Sequence, residues 1–259
     1  ALATTVHPWY LTGILALLPL LPRAGWHWIW LGIFSVGTYL FYVDGAYWPF
    51  VIAGWTGWAL GGLYYHRRTL LEPVLRLRAR GKWALIEPYL ERSDRLVLDV
   101  GAGEGYVAEL LASEGHKVEL VDVEPLGRTE LPYRVYDGRT LPYEEGTFDA
   151  ALLVYVLHHS REPEQLLREA LRVSDRAIIV ESVYVHPWEH RVLRWADRWA
   201  NRLRSDGRTR DQEADLQHRT DEEWRTLFRR HGRLVHHEVE ERGPHHRAVY
   251  VVEPEASRA

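Results

Sequence analysis

Hydrophobic residues are concentrated at the amino-terminal end of the chain. Three almost uncharged stretches cover residues 8–22, 26–43 and 46–65. As helices, the second and third would reach roughly 27–30 Å, about one hydrocarbon core, and Trp and Tyr gather at the ends of the stretches as in interfacial aromatic belts. The pattern predicts two to three transmembrane helices over residues 1–65. The alternative is a buried helical subdomain of a soluble protein, although these stretches have no polar face.

The flanks of these stretches predict an orientation. Arg23 follows the first stretch, Asp44 the second, and residues 66–68 (HRR) the third. With three spans, the positive flanks fall on one side, which the positive-inside rule assigns to the cytoplasm. Residues 66–92 are predicted to form a basic helical connector, whose charges either anchor the topology or bind anionic lipid. We therefore expect an integral membrane protein in which residues 93–259 form a cytoplasmic domain.

From residue 93 onward, aliphatic runs alternate with amphipathic stretches. This rhythm predicts a Rossmann-like α/β fold: a doubly wound, mainly parallel sheet of seven strands with a carboxy-terminal antiparallel hairpin. Predicted strands cover residues 95–100, 117–123, 133–138, 148–157, 176–183, 233–241 and 247–254; predicted helices cover residues 69–92, 106–115, 162–174, 191–204 and 221–232. In such sheets, ligands bind at the carboxyl ends of the strands.

Composition removes several kinds of chemistry. The chain has no cysteine, which excludes disulfides, zinc-thiolate sites and thiol nucleophiles. The formal net charge is −4, and basic runs such as residues 204–210 have acidic neighbours, so nucleic acid is not an expected partner. His236 and His237 are adjacent on a predicted strand and point to opposite faces, which prevents chelation by that pair. No metal site is expected.

Three glycines lie between the first predicted strand and the helix that follows it. In the sequence VLDVGAGEG, Gly101, Gly103 and Gly105 allow a ligand to approach the backbone closely, and the helix amino terminus offers free N–H groups. A glycine-rich turn alone is a weak signal, so its meaning depends on the residues around it.

Acids stand at the ends of three successive predicted strands: Asp99, Asp122 and Asp137. A carboxylate after the second strand can accept hydrogen bonds from ribose hydroxyls, and one after the third can accept from the exocyclic amine of an adenine. Asp99 would complement a positive charge. The three acids therefore suit an adenosyl group that carries a cationic amino-acid tail.

Residues 81–182 resemble the class I S-adenosylmethionine-dependent methyltransferases (type 11), particularly the ubiquinone and menaquinone methyltransferases. VLDVGAGEG resembles their first motif, VDVEP their second-strand acid, and DGRTLPYEEGTFDAALLVYVLHH their adenine-binding acid and fourth-strand motif. The resemblance implies S-adenosyl-L-methionine as cofactor and methyl transfer as the reaction. The cofactor-binding residues it implies are Asp99, Gly101, Ala102, Gly103, Gly105, Asp122, Val123, Asp137, Gly138 and Val154.

The chain departs from this family at two places. Val154 and Tyr155 stand where the family has small or polar residues, which bears on the shape of the methyl-transfer pocket. Residues 172–176 (RVSDR) replace a Lys-Pro-Gly-Gly turn.

Two histidines after the fourth predicted strand are candidate catalytic residues. His158 and His159 are placed to act as a general base for a phenol or enol acceptor. Alternatively, one of them caps the following helix and the other packs.

Residues 183–220 follow the fifth predicted strand, where this fold inserts a substrate lid. Together with Tyr155, four lid residues are candidates to line the acceptor site: Tyr184, His186, Trp188 and His190. The alternative is that they pack the lid on the core. The predicted helix over residues 191–204 has Trp195, Trp199 and Leu203 on one face and either lies along a membrane or is an ordinary core helix.

Three functions agree with these features. The leading hypothesis is a membrane-anchored methyltransferase that modifies a lipid-soluble or membrane-associated acceptor, such as a quinone, an isoprenoid or a phospholipid headgroup. The second is a methyltransferase with a passive anchor, acting on a soluble small molecule or a protein. The third is a membrane sensor or scaffold that binds the cofactor without turnover.

Overall fold

The computed structural model describes residues 48–91, 94–204, 216–242 and 245–255. The chain divides into two compact units, Ala1–Pro73 and Val74–Ala259. The predicted spans over residues 8–22 and 26–43 lie outside the described residues.

The helix α1 runs from Trp48 to Ile86 and contains Pro73. It takes in residues 48–65 of the predicted third span and residues 66–86 of the predicted connector. Between residues 48 and 255, the helices that the structure describes are all too short or too polar to traverse a bilayer. The third span is thus not supported, since its Gly, Trp and Tyr residues lower its mean hydropathy. Several apolar side chains of this segment are exposed, among them Ile52, Leu60 and Leu63.

The second unit is built around a seven-stranded sheet, as predicted. The strands are β1 (Leu96–Val100), β2 (Lys117–Asp122), β3 (Tyr133–Val135), β4 (Ala150–Val154), β5 (Ala177–Val183), β6 (Arg233–Arg242) and β7 (His245–Glu253). Their order in the sheet is β3-β2-β1-β4-β5-β7-β6. The first five strands are parallel, and β7 pairs antiparallel with both β5 and β6. The chain changes direction across the sheet between β1 and β4, the position at which such sheets open a cleft.

Helices cover both faces of this sheet. Besides α1 they are α2 (Tyr106–Ser113), α3 (Pro163–Val173), α4 (Pro187–Arg204) and α5 (Asp221–His231). One face packs α3 and α5 against alternate strand residues such as Leu98 and Leu153. The other face packs α2 and the end of α1 against Val97 and Leu152. Because β4 and β5 are buried on both faces, β4 and residues 177–180 of β5 are continuous apolar runs rather than alternating ones.

β4 is shorter than the predicted strand over residues 148–157. It ends at Val154 because Tyr155 takes a left-handed backbone conformation with φ +60°. A short 3₁₀ turn follows over Leu157–His159. The chain therefore turns sharply at the carboxyl edge of the sheet instead of continuing as a strand.

Candidate functional site

The glycine loop connects β1 to α2 in left-handed backbone conformations. Gly101, Gly103 and Gly105 have φ values of +69°, +56° and +83°. The N–H of Gly101 donates to the carbonyl of Val121 at 2.8 Å, which fastens the loop to β2. A Cβ at residue 101 would lie 2.6 Å from Cγ2 of Val156. Residue 101 must therefore lack a side chain, because the turn after β4 packs directly against it.

Asp122 ends β2 beneath this loop. Its Oδ2 accepts the N–H of Gly103 at 2.8 Å, and its Oδ1 accepts the N–H of Glu124 at 3.2 Å. The carboxylate is buried, so these bonds fix its orientation, and each oxygen keeps further acceptor capacity. The structure thus places the second-strand acid against the glycine loop.

Asp137 lies beyond the end of β3 in a tight turn. Its Oδ1 accepts the N–H groups of Arg139 at 2.8 Å and Thr140 at 3.1 Å, and these bonds hold the pKa of Asp137 below its ordinary value. The side chain is exposed and therefore available to solvent or a ligand. Gly138 follows with φ +78°.

Asp99 differs from the other two acids, because it is buried within β1 and does not line the cavity described below. Its Oδ2 has no hydrogen-bond partner among the described residues. Burial raises the pKa of Asp99 to about 7; the nearby Lys82 ammonium opposes this rise, and Asp122 adds to it. The acid of the first strand is thus a buried carboxyl below the glycine loop that ionises only near pH 7.

A cavity of about 730 Å³ opens at the carboxyl ends of β1, β2 and β4. Its size falls within the usual range for sites that bind small molecules and cofactors. The predicted cofactor residues among its walls are Gly101, Ala102, Gly103, Gly105, Asp122, Val123, Asp137, Gly138 and Val154. The structure brings together every predicted cofactor residue except Asp99 at this one surface.

Residues that the sequence did not single out also line the cavity. The last turns of α1 contribute Leu75, Arg78, Ala79 and Lys82. Their spacing of three and four residues places them on one helix face, and this spacing was the available sequence signal. Tyr136 lines the cavity as well, and burial with the neighbouring Asp122 raises its pKa.

The turn after β4 forms the far wall of the cavity. Tyr155 lines it in the left-handed conformation, with its N–H donating to the carbonyl of Val180 at 2.7 Å. Nζ of Lys82 lies 5.2 Å from the centroid of the Tyr155 ring. Burial raises the pKa of Tyr155 to about 12, so the phenol is neutral near pH 7. A strained non-glycine residue that lines a cavity is a typical feature of functional sites.

The two candidate histidines occupy different places. His159 lines the cavity, whereas His158 is buried behind it. Nδ1 of His158 lies 2.5 Å from Oε2 of the fully buried Glu181, and Oε1 of Glu181 accepts the N–H of Leu157 at 2.8 Å. The ring of His158 also stacks on His218 with 4.5 Å between centroids. Glu181 therefore holds the turn that carries Tyr155 and His159.

The lid residues predicted from the sequence lie outside the cavity lining. The Tyr184 ring stacks on His190 with 4.8 Å between centroids. The N–H of His186 donates to Oε2 of Glu189 at the start of α4. Trp188 is 47% exposed on that helix. Of the five predicted acceptor residues, which include His190, the structure places only Tyr155 in the cavity.

Comparisons with known proteins agree with this geometry. The sequence profile of a family described as "Methyltransferase domain" matches residues 98–176. A tRNA U34 carboxymethyltransferase of Pseudomonas fluorescens is 28% identical over 141 residues, covering 48% of this chain and 43% of the relative. A demethylmenaquinone methyltransferase of Renibacterium salmoninarum is 31% identical over 99 residues, covering 35% of this chain and 42% of the relative. The matched region is thus less than half the length of either relative.

A solved structure shares the fold. The crystal structure of a Bacillus halodurans protein, assigned as a methyltransferase, superposes with a TM-score of 0.51 at 12% identity. The superposition covers 66% of this chain and 97% of the other. At this level of identity the likeness concerns the fold alone.

Proposed function

We propose that this chain, which carries an S-adenosylmethionine-dependent methyltransferase domain, transfers a methyl group to a lipid-soluble or membrane-associated acceptor. The observation that best supports methyl transfer is the hydrogen bond between the glycine loop and Asp122. A buried carboxylate is held by the N–H of Gly103 at the wall of a cavity whose volume is usual for cofactor sites.

The residues around the cavity fit the cofactor part by part. Asp122 would accept hydrogen bonds from the ribose hydroxyls, and the exposed Asp137 would accept one from the adenine amine. The bare backbone of residues 101–105 would lie against the amino-acid tail. The buried carboxyl of Asp99, when ionised, would favour its cationic groups. When bound, S-adenosylmethionine supplies a methyl group on a positively charged sulfur.

The wall formed by the turn after β4 is the candidate acceptor end. Val154 and Tyr155 give it an apolar surface, and His159 is the histidine that reaches the cavity. An acceptor hydroxyl loses a proton as it is methylated, and His159 is placed to take that proton. His158 would act indirectly, because its ring is occupied by Glu181 behind the wall.

A lipid acceptor is supported by the composition of the chain before the catalytic domain. Between Ala1 and Tyr65, Arg23 and Asp44 are the only fully charged residues. In the described part of this segment, Ile52 is 63% exposed and Leu60 is 62% exposed. Such surfaces favour association with a membrane. One matched relative takes demethylmenaquinone as its substrate according to its name.

We place the catalytic domain on the cytoplasmic side of that membrane. S-adenosylmethionine is charged, so it does not cross a bilayer unaided, and it is made in the cytoplasm. A maleimide that cannot cross membranes should label a Thr226→Cys variant in opened cells but not in intact ones. Labelling in intact cells would refute this orientation.

The function is tested by incubating the purified full chain with membrane extract and S-adenosylmethionine that carries a labelled methyl group. Label in the organic phase is the expected result. Asp122→Ala should abolish the transfer, because it removes the carboxylate that would accept hydrogen bonds from the ribose hydroxyls of the cofactor. The matched control is Asp175→Ala, which removes an exposed acid outside the cavity and should leave the transfer unchanged.

The other outcomes separate the rival functions. Label only in soluble products would contradict the lipid acceptor while supporting methyl transfer. Cofactor binding without any labelled product would support a sensor or scaffold. Absence of cofactor binding by the wild-type chain would contradict the site itself.

A further inference from the structure

The helix α4 exposes apolar side chains where a surface helix usually exposes polar ones. Trp188 is 47% exposed, Val192 47% and Trp195 64%. Positions spaced by four and three residues share one face of a helix, so these three side chains form a continuous strip. We call Trp188, Val192 and Trp195 the α4 stripe.

The opposite face of α4 is fastened to the domain. Leu193 is buried, and the carboxylate of Glu189 is also buried, with Oε1 lying 3.6 Å from Nε2 of His246. The ring of His190 stacks on Tyr184. This helix therefore buries an acid and exposes tryptophans, and the packing of Leu193 and Glu189 directs the stripe outward.

The charge of α4 indicates which partner the stripe fits. Among the described side chains of α4, Arg191 is exposed and Arg194 is half-buried, whereas the single acid, Glu189, is buried. The charge left at the surface of this part of the helix is therefore positive. Tryptophan and valine bordered by arginine are typical of helices that lie in the interface of an anionic membrane. Exposed apolar strips also mark contacts between proteins, and the concentration test below distinguishes a second copy of this chain from a lipid surface.

We infer that the α4 stripe lies on an anionic lipid surface, with the helix axis parallel to the bilayer. The tryptophan rings would enter the headgroup region, and Arg191 would remain among the lipid phosphates. This surface is independent of the acceptor, because none of its residues lines the cavity. It would bring the catalytic domain to the membrane whether the methyl acceptor is a lipid or not.

The experiment uses the full chain, whose lack of cysteine allows single labels. Trp195→Cys carries an environment-sensitive fluorophore on the stripe. Thr226→Cys carries it on an exposed position of α5 and serves as the matched control. Each protein is mixed with vesicles of phosphatidylglycerol and phosphatidylcholine, or of phosphatidylcholine alone, and a quencher is attached to the lipid chains.

On the anionic vesicles, the lipid quencher should reduce emission at position 195 at least about threefold more than at position 226. Arg191→Glu in the Trp195→Cys chain should weaken that difference, since it reverses an exposed charge next to the stripe. Because the label position is read directly, the result does not depend on how the rest of the chain associates with the vesicle.

Four results would overturn the inference. The first is equal quenching at positions 195 and 226 on bound protein, and the second is absence of binding to anionic vesicles. The third is quenching at position 195 that is as strong on phosphatidylcholine vesicles as on anionic ones. The fourth is shielding of position 195 that occurs without vesicles and grows with protein concentration. The last would assign the stripe to contact between copies of this chain. Methyl transfer and cofactor binding are measured separately, so failure of this surface leaves the proposed function standing.

Discussion

Replacing Asp99 by Asn should change how the stability of the domain depends on pH. Asp99 is 3% exposed, and its Oδ2 has no hydrogen-bond partner in the described part of the chain. Burial raises its pKa from 3.8 to about 7. The charged groups that act on it are Lys82 of α1, which opposes the rise, and Asp122 of β2, which adds to it.

The sign follows from the protons bound in each state. Below pH 3.8 the carboxyl is protonated in both the folded and unfolded chains, so it contributes no pH dependence. Between pH 3.8 and about 7 the unfolded chain loses its proton while the folded one keeps it, so the free energy of unfolding falls as the pH rises. Above pH 7 the loss is complete and amounts to about 4 kcal/mol. The amide side chain of the Asp99→Asn variant cannot ionise and escapes this loss.

The assay is urea unfolding of both proteins at several pH values. The stability of Asp99→Asn relative to wild type should rise by about 4 kcal/mol between about pH 4 and pH 8. Taking the difference cancels the titration of all other groups. A constant difference across this range would refute the argument, because it would mean that Asp99 titrates alike in the folded and unfolded chains.

The same charge should couple to the cofactor. A cationic ligand binds best when Asp99 is ionised, so the Kd of S-adenosylmethionine should fall by up to about tenfold between pH 6 and pH 8. In Asp99→Asn the affinity should be weaker and nearly flat over the same range. Isothermal titration at each pH measures both. If the Kd of the wild-type chain does not change with pH, the charge of Asp99 does not influence cofactor binding.

Three further substitutions test the geometry of the site. Gly101→Ala should lower the free energy of unfolding by about 2–5 kcal/mol, because alanine is strained at a left-handed φ and its Cβ would clash with Val156. Adding Val156→Ala should remove the clash and recover about 1–3 kcal/mol of that loss. If thermal unfolding shows that the two substitutions have additive effects, the contact is contradicted. Asp122→Ala should weaken cofactor binding about 100-fold or more, and Asp137→Ala less than about tenfold, because Asp122 is buried and fixed whereas Asp137 is exposed; calorimetry giving the opposite order would contradict these roles. Glu181→Gln should destabilise the domain by about 2–4 kcal/mol, because it weakens the hydrogen bonds that hold the turn after β4. It should also lower kcat more than it lowers cofactor affinity. An unchanged kcat would limit Glu181 to a structural role.

The central strands of the sheet could be predicted from the sequence because they are rich in aliphatic residues. β1 and β5 begin and end within one residue of their predicted bounds, since parallel strands buried on both faces leave a clear apolar signal. The start of α5 was predictable as well, with either Thr220 or Asp221 as its cap, and the structure has Thr220: its side chain accepts the N–H of Glu223, whose side chain accepts the N–H of Thr220. The glycine loop and Asp122 were predictable as a unit because their spacing reflects a strand-turn-helix connection.

Other parts depended on packing that a sequence pattern does not encode. The run over residues 148–157 is uniformly apolar, so nothing in its composition marks the reversal at Tyr155. Glu181 stands inside an equally apolar run, and its partner His158 is 23 residues away. An acid in a buried strand was nevertheless a usable signal, because such a carboxylate must find hydrogen-bond donors. Lys82 was assigned to the membrane connector, although its helix face belongs to the cavity wall.

Three costs of this fold meet at the turn after β4. Tyr155 occupies a backbone conformation that costs of order 1–3 kcal/mol for a residue other than glycine. Glu181 is completely buried, and its desolvation is offset by the N–H of Leu157 and the ring of His158. Gly101 must stay bare where Val156 touches it. An apolar turn would satisfy the sheet at lower cost, so stability alone does not account for this arrangement. What it achieves is to set Tyr155 and His159 in the cavity wall next to the glycine loop, which ties the position of the acceptor end to that of the cofactor end.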